Sequence, residues 1–318
     1  MAILSEQINL DAIASRAQAY TGLFTLPLKD RNWRGNPGDY AGSGVGSSLD
    51  FQDHRQYLAG DDPRHINWQA FARTGDYTIK LYREEVRPIV ELIIDVSGSM
   101  FEDEKAIRSL ELFYFAAYAA EKAAASVKAY LIKGGHWKAL DAHSLISHKW
   151  QNIAESLPEI EASTAPNLAV IPFRPGSLRV LITDALFPSA PEPTIRSLQR
   201  NHGRSVILCP FSLTESAPEW NGNYEFIDTE SRAQHHRRID PSLLKRYLKT
   251  YHHHFDRWKA AALRAQSPFA RIPSVGDFDS AIKLEAIPSG AIQLASGFTD
   301  SLPAKTVHFT PCQHALHA

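Results

Sequence analysis

The stretch IVELIIDVSGSM, residues 89–100, decides the fold of this chain. It opens with a short, mostly apolar run rich in β-branched side chains, which is typical of a buried parallel strand. The run ends in Asp95-Val96-Ser97-Gly98-Ser99, so one carboxylate and two hydroxyls come directly at and after its end. The stretch therefore predicts a buried strand whose carboxyl end carries a polar turn.

Strands and helices alternate after this stretch. Further strands are predicted at residues 127–132, 136–140, 178–183, 205–209 and 224–227, and helices at residues 102–127, 145–157, 193–201 and 241–265. The alternation predicts an α/β fold with a doubly wound, mostly parallel sheet of Rossmann-like kind. Ligands of such sheets bind at the carboxyl ends of the strands, near the point where the strand order switches, so chemistry is expected there.

The segments that flank the alternating region are less regular. Before it, the sequence predicts a helix at residues 8–19, a loop at the Gly- and Ser-rich residues 36–48 and a strand at residues 76–82; after it, a helix is predicted at residues 277–286. We therefore divide the chain into an N-terminal extension with some β structure at residues 1–87, an α/β domain at residues 88–266 and a C-terminal segment at residues 267–318.

Composition argues against several classes of protein. The 318 residues carry 34 Lys+Arg and 35 Asp+Glu, and this net charge of −1 disfavours a dedicated nucleic-acid binder or a binder of anionic membranes. The most apolar stretch, residues 112–120, falls far short of the roughly 18 residues that span a bilayer. The N-terminus lacks the pattern of a signal peptide, and Cys209 and Cys312 form no CxxC motif. We expect a cytoplasmic protein without a thiolate metal site.

A second carboxylate, Asp184, follows the predicted strand at residues 178–183. In a parallel sheet it reaches the same edge as Asp95, so Asp95, Ser97, Ser99 and Asp184 present oxygen donors around one point. Mg²⁺ prefers oxygen ligands in near-octahedral geometry and retains waters. The sequence therefore predicts a site for Mg²⁺, or for Mn²⁺. The alternative is that these side chains only cap backbone groups at turns.

The motifs IIDVSGSM and VLITD resemble those of a von Willebrand factor A domain with its metal-ion-dependent adhesion site. The resemblance implies that Ser97 and Ser99 bind the metal directly and that Asp95 and Asp184 act mostly through water. It also implies a threonine from an intervening loop. Thr164 is the best candidate by location, although the Gly-rich context usual before that threonine is missing.

The segment before the strand narrows the resemblance. It carries, in order, LDF at 49–51, RQY at 55–57, GDD at 60–62, Arg64, INW at 66–68, AR at 72–73 and EE at 84–85. This pattern resembles bacterial domain-of-unknown-function family 58, whose von Willebrand A-like proteins are often associated with MoxR-type AAA+ ATPases. The resemblance implies a non-catalytic protein-interaction module. Its partner would be such an ATPase, or a client that the ATPase remodels, bound through an acidic residue.

Two other functions stay open. A Mg²⁺-dependent phosphotransfer enzyme of haloacid-dehalogenase-like type would use Asp95 as nucleophile, but it would place a second carboxylate where Ser97 stands, and no Lys partner is evident. A structural domain with a decayed metal site is the third possibility. The chain shows neither a nucleotide-binding Gly-rich loop nor a G-x-S-x-G nucleophile elbow. We therefore expect no catalytic residues.

The remaining polar clusters have ordinary structural interpretations. The arginines of residues 50–73 are expected to pair with aspartates of the same segment in a buried network, with a docking surface as the alternative; they are Arg55, Arg64 and Arg73, facing Asp50, Asp61 and Asp62. The histidines at 252–254 point in different directions on a helix, and residues 235–238 are interpreted as a solvated loop, so neither group is expected to bind metal. Cys209 is expected in the core.

Overall fold

A computed structural model describes residues 8–28, 37–45, 51–141, 144–145, 147–160 and 164–295. The strands are β1 (Phe24–Thr25), β2 (Pro37–Val45), β3 (Phe51–Gln56), β4 (Thr78–Val86), β5 (Ile89–Asp95), β6 (Ser126–Lys133), β7 (His136–Leu140), β8 (Leu178–Ile182), β9 (Arg204–Phe211), β10 (Gly222–Ile227), β11 (Gln234–Ile239), β12 (Phe269–Pro273) and β13 (Gln293–Leu294). The helices are α1 (Leu10–Tyr20), α2 (Trp68–Thr74), α3 (Asp103–Lys122), α4 (Trp150–Glu155), α5 (Pro191–Leu198), α6 (Leu213–Ser216), α7 (Pro241–Arg264) and α8 (Phe278–Glu285).

The central sheet has six strands in the order β12-β9-β8-β5-β6-β7. All neighbours in it are parallel except β6 and β7, which form an antiparallel pair at one edge. From β5 the chain first builds outward through β6 and β7 and then returns to β8 on the other side. The strand order therefore switches at β5 and β8, and the predicted α/β fold with a mostly parallel sheet is confirmed.

Helices cover both faces of the sheet, which explains why β5 is apolar at most of its positions. Leu92 and Ile94 of β5 pack with α1, α3 and α8 on one face, while Ile93 packs with α5 and α7 on the other. Since successive side chains of a strand point to opposite faces, each of these positions must be apolar. Among the described residues, no helix is long and apolar enough to cross a membrane.

Two segments predicted as loops are strands. The Gly-rich segment contains β2, which pairs with β4 through irregular register shifts, an arrangement in which glycine is tolerated. Residues 235–238 lie in β11, which pairs with β10 and with no other strand that the structure describes. The side chains of β11 are exposed except that of Ile239, so no apolar alternation marks this strand in the sequence.

The chain on both sides of residues 88–266 also contacts the α/β unit. Strand β12 lies at the edge of the central sheet, β1 pairs with β13, and α1 packs against α3. The boundaries at residues 1–87, 88–266 and 267–318 stay predictions, and part of the last segment lies outside the described residues. The predicted N-cap of α7 is present, because the Asp240 side chain accepts a hydrogen bond from the Leu243 amide.

A buried ion pair lies near the amino ends of β5 and β8 in the central sheet. The carboxylate of Glu91 in β5 accepts hydrogen bonds from Ser177 Oγ at 2.6 Å and from Tyr130 OH at 3.2 Å, and it pairs with Arg179 Nε at 3.4 Å. Arg179 is fully buried, and its guanidinium also donates to the carbonyls of Arg174, Leu198 and Arg200. Every part of this carboxylate is thus satisfied by the chain itself.

Gly203 is required by the close approach of that guanidinium. A Cβ at position 203 would lie 2.4 Å from Arg179 Cζ. We expect Gly203→Ala to lower the free energy of unfolding by about 1–3 kcal/mol, because Arg179 is held by several carbonyls and has no room to move. Gly135→Ala is the matched control, since a Cβ there meets nothing within 4 Å. Urea unfolding followed by tryptophan fluorescence measures both, and equal midpoints would contradict the account.

Candidate functional site

The carboxyl ends of β5 and β8 bring two predicted ligands to one place. Asp95 is the last residue of β5, and Asp184 comes two residues after the end of β8. A hydrogen bond joins the two strand ends, because Thr183 Oγ1 donates to Asp95 Oδ2 at 2.8 Å. The parallel pairing of β5 with β8 therefore produces the juxtaposition that the sequence predicted.

The turn after β5 gathers the remaining donors of the site. Asp95 Oδ1 accepts a hydrogen bond from the Ser97 amide at 3.0 Å, and the hydroxyls of Ser97 and Ser99 lie 3.4 Å apart. A short 3₁₀ helix, Gly98–Phe101, begins inside this turn and fixes its course. Asp95, Ser97, Ser99 and Asp184, which we call the strand-end site, lie together at the switch point of the sheet.

Asp95 is a buried ionisable group. It is 5% exposed, and burial raises its pKa to about 6, with the nearby charge of Asp184 as the second cause. The hydrogen bonds from Ser97 and Thr183 act in the opposite direction but do not outweigh burial. Among the described residues Asp95 forms no ion pair. A buried carboxylate of this kind favours a nearby cation.

Lys105 lies beside the site, and the sequence analysis missed it. Its ammonium, 1% exposed in the first turn of α3, is 3.0 Å from Asp184 Oδ2 and also donates to Glu215 Oε1. Burial lowers the pKa of Lys105, but these two carboxylates outweigh burial and raise it above its ordinary value. The absence of a Lys partner, noted against the phosphotransfer alternative, is therefore corrected.

Glu215 is the other neighbour that was missed. Its carboxylate is positioned by a capping box at the start of α6, in which Ser212 and Glu215 exchange hydrogen bonds with each other's backbone amides. The signal was readable, since Ser-Leu-Thr-Glu at residues 212–215 directly follows an apolar strand. Lys105 left a weaker signal, a lysine early in the helix after the polar turn.

Thr164 lies at the same edge of the sheet, next to the end of β6. Its Oγ1 is 2.9 Å from the position that a Cβ of Gly134 would occupy, and the nearby Asn167 amide donates to the Gly134 carbonyl at 3.0 Å. Within the described part of the chain, no hydrogen bond links Thr164 to Asp95, Ser97, Ser99 or Asp184. Its role as a ligand stays a prediction.

A glutamate from a distant hairpin also reaches the turn. Glu230 Oε1 accepts a hydrogen bond from the Ser99 amide at 3.2 Å, and burial raises the pKa of Glu230. No feature of the sequence predicted this contact, because 131 residues separate the two partners.

The donor set fits a hard divalent cation. The ammonium of Lys105 lies against the carboxylates of Asp184 and Glu215, and the hydroxyls of Ser97 and Ser99 supply neutral oxygen donors. Among the described residues, no group of three or more His, Cys, Asp or Glu side chains is arranged to hold a metal. A metal here would therefore depend on the hydroxyl oxygens. The residues to hold it are Asp95, Ser97, Ser99 and Asp184, with Thr164 as the predicted fifth.

The other candidate clusters have structural roles. Arg55 pairs with Asp61 and Arg64 with Asp62, both at 2.6 Å, but these pairs lie near the surface, so the expectation of a buried network is corrected. Asp50 lies outside the described residues, and no ion pair is found for Arg73 among them.

Cys209 and His254 contact backbone carbonyl oxygens next to the strand-end site. Cys209 is buried, as predicted, and Cys312 lies outside the described residues. His254 Nε2 is 2.7 Å from the carbonyl oxygen of Ala185, whereas His252 and His253 are exposed.

Residues 53–140 match the family described as protein of unknown function DUF58. The match supports the family that the motifs of residues 49–85 suggested, and it includes Asp95, Ser97 and Ser99 but not Asp184. No curated protein matches the chain significantly.

Two solved structures are similar to this chain. One is an aerotolerance-related membrane protein from Bacteroides fragilis carrying multiple mutations to serines, with 18% identity, a TM-score of 0.33, and coverage of 63% of this chain and 96% of that one. The other is the conserved hypothetical protein BatB from Bacteroides thetaiotaomicron, with 13% identity, a TM-score of 0.32, and coverage of 64% and 98%.

Replacing Lys105 tests the electrostatics of the site. We expect Lys105→Met to lower the free energy of unfolding by about 3–5 kcal/mol, because it leaves Asp184 and Glu215 without their buried cation. Lys259→Met is the matched control: its pair with Glu285 is solvent-exposed, so the change should stay below about 1 kcal/mol. Both are measured by urea unfolding at pH 7. A Lys105→Met variant as stable as the wild type would refute this description.

Proposed function

We propose that this chain is a non-catalytic, metal-dependent protein-interaction module of von Willebrand factor A type, with a Mg²⁺ or Mn²⁺ site of the adhesion kind. The observation that carries the proposal is the convergence of Asp95, Ser97, Ser99 and Asp184 at the switch point of the sheet. In particular, Asp95 is buried there without an ion pair among the described residues.

Each residue of the site has a definite task in this proposal. Ser97 and Ser99 present neutral hydroxyls, while Asp95 and Asp184 contribute mostly through water. Thr183 orients Asp95 by its hydrogen bond, and Lys105 holds Asp184 in place. A bound Mg²⁺ would supply positive charge and an exchangeable position for an Asp or Glu carboxylate of a partner. Lys105 also reduces the negative charge that would otherwise repel such a carboxylate.

The partner class is proposed from the family resemblance. We infer a MoxR-type AAA+ ATPase, or a client that it remodels, so that the module serves assembly or remodelling of other proteins. This pairing would place the encounter in the cytoplasm, where ATP is available.

Metal titration is the first experiment. Calorimetric titration of Mg²⁺ and Mn²⁺ into metal-free protein should show one site in the wild type and binding weakened at least about tenfold in Asp95→Asn. Asp279→Asn is the matched control, because Asp279 pairs with Lys283 on the exposed side of α8. Circular dichroism checks that all variants fold. Unchanged affinity in Asp95→Asn, or no binding to the wild type, would count against the metal site.

Partner binding gives a separate prediction. Binding of a MoxR-type ATPase from the same genome, measured by surface plasmon resonance in Mg²⁺, should be lost in EDTA and in Asp95→Asn. Full affinity in EDTA would contradict a metal-dependent mechanism and favour a structural domain with a decayed site. Turnover of p-nitrophenyl phosphate that requires Mg²⁺ and disappears in Asp95→Asn would instead establish the phosphotransfer alternative.

A further inference from the structure

The hairpin formed by β10 and β11 places its tip, residues 228–233, on the polar turn after β5. A Cβ at Gly98 would lie 2.8 Å from the Thr229 carbonyl oxygen and 3.3 Å from Glu230 Oε1. Position 98 thus admits only glycine while the tip is docked. The contact joins two elements that are far apart in the chain, and it directly covers the residue between Ser97 and Ser99.

The tip is ordered by its own hydrogen bonds. Asp228 Oδ1 accepts from the amides of Glu230 and Ser231 at 2.9 and 2.8 Å, and the Arg232 amide donates to the Asp228 carbonyl at 2.9 Å. Arg232 has a left-handed backbone conformation, with φ of 58°, which completes the tight turn. The hairpin therefore presents the Glu230 carboxylate in a fixed position.

Aromatic packing anchors the hairpin on α7. Trp220, just before β10, packs against Phe226 of β10 and Tyr247 of α7, with ring centroids 5.1 and 5.2 Å apart. Among the described residues, the two strands pair with each other and not with the central sheet. A two-stranded hairpin of this kind is weakly stable by itself, so its tip can leave the turn without breaking the sheet.

We propose that this hairpin is a displaceable cap on the strand-end site and that Glu230 occupies the position that a partner's carboxylate takes. The inference rests on the proposed function. Glu230 is the same chemical group as the expected partner ligand, and its Oε1 already accepts from the amide of Ser99, a proposed metal ligand. The tip must move before a partner carboxylate binds there.

The charge of the hairpin identifies the partner as an acidic segment. Strand β11 exposes four basic side chains that alternate between the two faces of the hairpin, with His235 and Arg237 on one face and His236 and Arg238 on the other. A partner that supplies one carboxylate to the strand-end site and a further carboxylate to the exposed Arg237 or Arg238 would replace the Glu230 contact and add an ion pair to the hairpin.

The test compares Glu230→Gln with Glu225→Gln in the full chain. Both remove one negative charge from the same hairpin, but Glu225 lies on β10 and faces His236 across the strands. The probe is a fluorescent hexaglutamate peptide titrated into protein saturated with Mn²⁺. We expect Glu230→Gln to bind the peptide about tenfold more tightly than the wild type, whereas the affinity of Glu225→Gln should stay within about twofold of the wild type. A tenfold change in affinity corresponds to about 1.4 kcal/mol.

A second readout separates this inference from the proposed function. If Glu230 covers the site, water proton relaxation by bound Mn²⁺ should increase in Glu230→Gln and remain unchanged in Glu225→Gln. Wild-type protein that binds Mn²⁺, with no gain of peptide affinity or relaxation in Glu230→Gln, would overturn the cap and leave the metal site standing. Wild-type protein that binds no Mn²⁺ would overturn both.

Discussion

Two carboxylates buried side by side, Asp95 and Asp184, constrain everything around them. They come together because β5 and β8 are parallel neighbours, and each ends where the strand order switches. Burial and, second to it, the nearby charge of Asp184 disfavour the ionised form of Asp95 and raise its pKa. Lys105 forms an ion pair with one of the two carboxylates, Asp184. Among the described residues, the Asp95 carboxylate receives hydrogen bonds from the Ser97 amide and the Thr183 hydroxyl but forms no ion pair, a setting that favours a nearby cation.

Glu91, on the same strand as Asp95, is a buried carboxylate with a purely structural set of partners. Glu91 is more deeply buried than Asp95, yet it receives a guanidinium, two hydroxyls and a backbone amide from the chain. These partners satisfy the hydrogen-bonding capacity of both of its carboxylate oxygens. Asp95 lacks a cationic partner among the described residues. The difference lies in which edge of the sheet each occupies, and ligands of such sheets bind at the carboxyl edge.

The parts of the fold that were predictable share one physical basis. Strands β5 and β7 have the predicted bounds, and the bounds of β6, β8 and α7 differ by at most one residue, because burial or a clear cap marks them in the sequence. Strand β11 was interpreted as a loop because its side chains face water. The same holds for the candidate site. Local spacing predicted Asp95, Ser97 and Ser99, and the expected parallel topology predicted that Asp184 lies beside them. Lys105 left only a weak local signal, and Glu230 reaches the site through a tertiary contact that no local pattern encodes.

A carboxylate supplied by the chain itself changes what a partner must offer. The tip of the hairpin is tethered next to the site, so its effective local concentration far exceeds that of a free partner, on the order of millimolar for short tethers. A single carboxylate from solution therefore competes poorly with Glu230. A partner with several acidic groups competes well, because its additional carboxylates can pair with the exposed basic side chains of β11. Selectivity would then come from displacing the cap, while a bound metal would supply affinity common to all carboxylates.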